Sequence, residues 1–62
     1  MNRNFNMSIL DFSTGDEVVE KNNKYGEILI VVGIDIQKNI VRCMEERTSY
    51  VFEIPVESIE HV

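Results

Sequence analysis

Cys43 and His61 are the single thiol and the single imidazole in the chain, so any sulfur or histidine chemistry rests on them. Nucleophilic catalysis would need a Cys thiolate held beside a base. Cys43 lies mid-strand in an apolar stretch, where a free cysteine packs as a small hydrophobe. His61 is the penultimate residue of the sequence. The pair reads as a core thiol and a surface imidazole, and no catalytic residue is assigned. One Cys and one His do not make a zinc ligand set, and one Cys cannot close an internal disulfide. Asp35, Glu45, Glu46, Glu53, Glu57 and Glu60 lack the loop spacing and turn glycine of a calcium site. They read as a solvated acidic face. No metal or cofactor is expected, and the protein is not expected to be an enzyme.

Lys21, Lys24, Tyr25 and Lys38 are the better candidates for a ligand surface. If the two turns that carry them lie at one end of a barrel, amines converge near an aromatic ring. Such a surface can contact phosphate or stack a base. Glu20 and Glu27 stand beside these cations and cancel much of their field, which favours ordinary solubilising turn residues. The overall charge agrees: 6 basic residues against 11 acidic ones leave −5. Clustered Lys and Arg drive phosphate binding by displacing counterions, and here Arg3, Lys21, Lys24, Lys38, Arg42 and Arg47 are scattered among carboxylates. Charge therefore weighs against nucleic acid.

The elements that must position these residues follow from a period close to two, the signature of strands. Residues 16–21 form a short strand entered through Gly15. Asn22-Asn23-Lys24-Tyr25-Gly26 is rich in residues that tolerate left-handed backbone and reads as a loop. Residues 27–36 are the strongest strand, dominated by β-branched side chains, and Gly33 inside the run marks a bend or bulge. Gln37-Lys38-Asn39 is a turn. Residues 40–46 follow as a strand with Val41 and Cys43 on one face. After Glu46-Arg47-Thr48, residues 49–54 alternate Tyr50, Phe52 and Ile54 with Val51 and Glu53. Pro55, lacking an amide hydrogen, is expected to stop that ladder. A single 3₁₀ turn and a last strand over 59–62 complete the chain. Five short strands with closely spaced turns predict an all-β barrel, since closure removes exposed edges.

Sixty-two residues amount to one domain, of which folding buries only about 60% of the exposable surface. Residues 1–12 read as an N-terminal extension and 13–62 as the barrel. Phe5, Met7 and Ile9 alternate, and Leu10 and Phe12 add apolar surface, so the extension is expected to lie against the barrel or a second subunit. The strand at 28–34 is apolar on both faces: Ile28, Ile30, Val32 and Ile34 on one, Leu29, Val31 and Gly33 on the other. A small barrel buries one face. Placing Ile30 and Val32 inside leaves Leu29 and Val31 as self-association residues, since contiguous apolar patches mark interaction surfaces. The longest apolar stretch is too short to span a bilayer. With no leader-like segment and a lone thiol, a cytoplasmic location is expected.

Gly15-Asp16-Glu17-Val18-Val19, the turn ending at Gly26 and the apolar strand after it resemble the opening of a KOW- or Tudor-type SH3-like barrel. Val41-Arg42-Cys43, Phe52 and Ile59 are similar to short bacterial barrels of this kind. The resemblance covers about residues 12–61 and implies a five-stranded SH3-like barrel. Two functions follow as expectations. The first is a non-catalytic protein-interaction or assembly module, binding a protein partner or itself as a homo-oligomer. The second, implied by the KOW resemblance, is a nucleic-acid- or ribosome-associated accessory protein.

Overall fold

The structure is a computed structural model that describes residues 9–23 and 25–62. A 3₁₀ turn (η1, Ile9–Asp11) precedes strands β1 (Glu17–Glu20), β2 (Leu29–Asp35), β3 (Ile40–Glu45) and β4 (Tyr50–Pro55). A second 3₁₀ turn (η2, Val56–Ser58) leads into β5 (Ile59–His61). The strands form one antiparallel sheet in the order β4-β3-β2-β1-β5. The first four make a meander, and η2 carries the chain from one edge of the sheet to the other, where β5 joins β1. Each strand lies within two residues of its expected span. The expected closure does not occur: among the described residues β4 and β5 are the two edges of the sheet, with no ladder between them. No described helix is long and apolar enough to cross a membrane.

Local chemistry places the turns. Gly15 takes a positive φ of 97°, a region glycine enters without steric cost. Its N–H donates to Val31 O at 2.7 Å, and Val31 N–H donates back to Asp16 O at 2.9 Å. The Gly-Asp pair thus delivers the chain into β1. Both later hairpins close through four-residue turns whose last residue is left-handed, Asn39 (φ 60°) and Ser49 (φ 63°). Asp35 Oδ1 accepts the Lys38 N–H in the first turn. In the second, Thr48 Oγ1 donates to Glu45 Oε1 at 2.6 Å and accepts the Tyr50 N–H.

The core is a single cluster of Ile9, Phe12, Val18, Leu29, Val31, Val41, Cys43, Ile54, Val56 and Ile59, with Ile34 and Phe52 packed against it. Ile9 and Phe12 show that the end of the expected extension belongs to this core. Phe5 and Met7 lie outside the described residues. β4 ends at Pro55, one residue beyond the expected span, and not for want of a ladder hydrogen bond. The proline is the strand's last paired residue, opposite Ile40, and its nitrogen faces the open edge, where no hydrogen is required.

The facing of β2 corrects the sequence expectation. Leu29 and Val31 are 3% and 1% exposed, whereas Val32 is 40% exposed. A register shift between Val31 and Gly33 makes Val32 the extra residue of a bulge. Val31 pairs with Cys43, and after the bulge Ile34 pairs with Val41. Both partners point inward, so Val31 and Ile34 share the inner face despite their odd spacing.

Candidate functional site

The outer face of the β2–β3–β4 hairpins carries a contiguous row of apolar side chains. Ile30 pairs with Met44 and Met44 with Val51, so the three side chains form one cross-strand row. Ile30 and Met44 are half-buried and Val51 is exposed. Ile28 and Val32, on either side of Ile30 along the chain, are also exposed. Beside this row, the Arg42 side chain lies over Gly33, where an added Cβ would meet its Nη1 at 3.3 Å. Its guanidinium faces Glu53 at 3.7 Å.

The row runs to β4, an edge strand. Tyr50 is 65% exposed and stacks on half-buried Phe52, ring centroids 5.8 Å apart. The hydrogen-bond alternation of this edge follows from one contact. Val56 N–H donates to Asn39 O at 3.1 Å, one step beyond the Ile40–Pro55 pair. Asn39 opposite Val56 is therefore a hydrogen-bonded pair, and so by alternation are the pairs 41/54, 43/52 and 45/50. The N–H groups of Val51 and Glu53 point away from β3, toward the open side.

An open cleft of about 660 Å³ lies at the N-terminal end of β2, lined by Asn23, Tyr25, Gly26, Glu27, Ile28, Glu46 and Arg47. Tyr25 is fully exposed. Arg47 pairs with Glu27 at 3.0 Å across this cleft, which reduces the field it offers to an anion. Of the proposed ligand surface, Tyr25 reaches the cleft and Lys21 and Lys38 do not line it. Lys24 lies outside the described residues. The reason is connectivity: the turns bearing Tyr25 and Lys38 flank β2 and lie at its opposite ends, and because Leu29 pairs with Glu45 and Glu45 with Tyr50, the β1–β2 loop faces the β3–β4 turn. The turn bearing Lys38 is at the far end of the same hairpin. Lys21 N–H instead donates to Ser58 O.

His61 does not meet Cys43. Its Nε2 lies 3.1 Å from Asp16 Oδ2, and its ring stacks on Phe12 with centroids 4.5 Å apart. Asp16 Oδ2 also accepts the Ser13 N–H at 2.9 Å. That backbone bond, and then the His61 contact, hold the Asp16 carboxyl below its ordinary range. The group fastens the N-terminal segment to β5, a role sequence spacing gave no sign of across 45 residues. Cys43 is buried in the core, where desolvation, helped by Glu20, pushes its thiol up to about 11. Among the described residues no three His, Cys, Asp or Glu side chains converge on a metal position.

Leu29 and Val31, expected as association residues, are core residues and offer no outer surface. The exposed apolar row that replaces them is on the opposite face of β2. The alternation signal located both faces; only the β2–β3 pairing chose between them. No protein-family model, curated protein or solved structure matches this chain.

Proposed function

We propose that this protein is a small SH3-like β-domain acting as a non-catalytic protein-interaction or assembly module. The strand order, with β5 beside β1 and a 3₁₀ turn between β4 and β5, supports the SH3-like description. The observation that carries the function is the solvent-facing row Ile30–Met44–Val51, flanked by exposed Ile28 and Val32. Each large apolar side chain covered by a partner contributes roughly 1.5–3 kcal/mol before the costs of association. The nucleic-acid reading has less support, because the exposed aromatic Tyr25 shares its cleft with an Arg47 already paired to Glu27.

A charge at Ile30 discriminates. Ile30→Glu should fold normally and lose association, whereas Val31→Glu, placed in the core, should unfold the domain. Light scattering over rising concentration, with circular dichroism of each variant, reads the self-associating form. Pull-down from the native host with wild type and Ile30→Glu as paired baits reads a heterologous partner. A wild type that stays monomeric, and retains nothing that Ile30→Glu fails to retain, would sink this function.

A further inference from the structure

Among the described residues nothing covers the β4 edge, and it carries few of the devices that normally block strand addition. Natural edges are protected by Lys, bulges, proline, brevity or a covering element. β4 runs six residues, Tyr-Val-Phe-Glu-Ile-Pro, with no register break against β3 and no basic residue. Its proline stands at the last position. Its one charge, Glu53, faces Arg42 on its own sheet. The opposite edge, β5, is only three residues long and carries Glu60 and His61.

We propose that β4 pairs antiparallel with β4 of a second copy about a two-fold axis at Phe52, fusing the two sheets into one. This rests on the assembly reading and names the occupant of the edge as the chain itself. A two-fold antiparallel pairing must set one residue opposite its own mate. Centring on Glu53 would oppose two carboxylates directly, which is unfavourable, and would set Val51 against Pro55, which has no N–H to give. Centring on Val51 would set Glu53 against Ser49, whose φ of 63° takes the backbone out of the strand. Centring on Phe52 places Val51 opposite Glu53 of the second copy. Both outward N–H groups then find carbonyl acceptors: Val51 N–H donates to Glu53 O, Glu53 N–H donates to Val51 O, and symmetry repeats the pair. The Phe52 rings face each other in a non-hydrogen-bonded pair, where cross-strand side chains approach most closely. Each already stacks with Tyr50 of its own chain, and Tyr50 comes opposite Ile54 of the second copy. Carboxylate meets valine rather than carboxylate, so the register is also the electrostatically compatible one.

Amide hydrogen exchange of the wild type, followed at low and high protein concentration, tests the register directly. The Val51 and Glu53 amides should exchange freely when dilute and gain protection as association proceeds. Glu53→Pro removes one outward donor and no backbone hydrogen bond to β3, and should weaken the association constant by roughly tenfold or more; the Arg42 contact it also loses is lost equally in the alanine variant. Glu53→Ala keeps the N–H and should associate like wild type. Free exchange of both amides at every concentration overturns the proposal, whether or not Glu53→Pro folds. Association that survives Glu53→Pro but is lost in Ile30→Glu also overturns it, and leaves the outer-face function standing. Loss in Glu53→Pro with no effect of Ile30→Glu supports edge pairing and counts against that face.

Discussion

Three residues show how local chemistry settles what a side chain does here. Asp16 is held below the ordinary carboxylate range by the Ser13 N–H and by His61. A carboxyl depressed in the folded state binds fewer protons there than in the unfolded chain, so stability falls as pH drops. Its contribution is complete above the ordinary range, near 3.8, and is lost as pH falls through the lower folded value. Asp16→Asn should therefore flatten the acid limb of a stability–pH curve, measured by urea unfolding between neutral and strongly acid pH. An unchanged limb would show that the Asp16 contacts do not couple to folding. Ser49 holds a left-handed φ of 63° without being Gly or Asn. Ser49→Gly removes that penalty at a cost in unfolded-state entropy, and the left-handed position should decide the sign. The variant is expected to gain on the order of 0.5–1 kcal/mol, the left-handed penalty less the glycine entropy cost, read as a higher urea midpoint at constant slope. Cys43, buried with its thiol pushed up to about 11, should resist alkylation at neutral pH until the domain unfolds. Rapid labelling of the native protein would contradict its place in the core.

At the scale of elements, the core is distributed over every strand and both 3₁₀ turns, so single truncations are costly. Ile59 has no exposed surface, and Ile59→Ala should cost about 2–5 kcal/mol. That is a large share of the roughly 5–15 kcal/mol that holds a whole domain. Phe52 is half-buried at the β4 edge, so Phe52→Ala should cost less than the about 3–5 kcal/mol of a fully buried aromatic. Denaturant unfolding of both variants checks the order, and a larger loss for Phe52→Ala would reverse the assignment of β4 as an open edge. Strand positions and turns were legible in the sequence because Gly15, Asn39, Gly33 and the alternation in β3 and β4 each have a local cause. The facing of β2 was not legible. Strict alternation places Val31 and Ile34 on opposite faces, and the bulge at Val32 puts them on the same one.

For the whole molecule, a net charge of −5 opposes close approach of two copies. Screening relieves that repulsion, so self-association should strengthen with salt. Binding to a nucleic acid would do the reverse, because counterion release makes it weaken. Sedimentation across a salt series, beside titration of a labelled single strand and a duplex, separates the two. Self-association weakened by salt would show that ion pairs rather than net repulsion govern it, and sub-micromolar nucleic-acid binding lost on adding salt would count against the assembly module.

From its sequence alone this chain determined an all-β domain, the spans of five strands, the glycine turn into β1, the bulge near Gly33 and a core thiol. All of these depend on neighbours a few residues apart. Tertiary structure alone decided the rest. When both faces of β2 are apolar, alternation has a period but no sign, and the pairing of Val31 with Cys43 supplied it. His61 met Asp16 because β5 returns to lie beside β1. The open β4 edge exists because η2 carries the chain to the far side of the sheet without a β4–β5 ladder. Each of these outcomes is a relation between distant segments, and period and spacing within a segment carry no information about it.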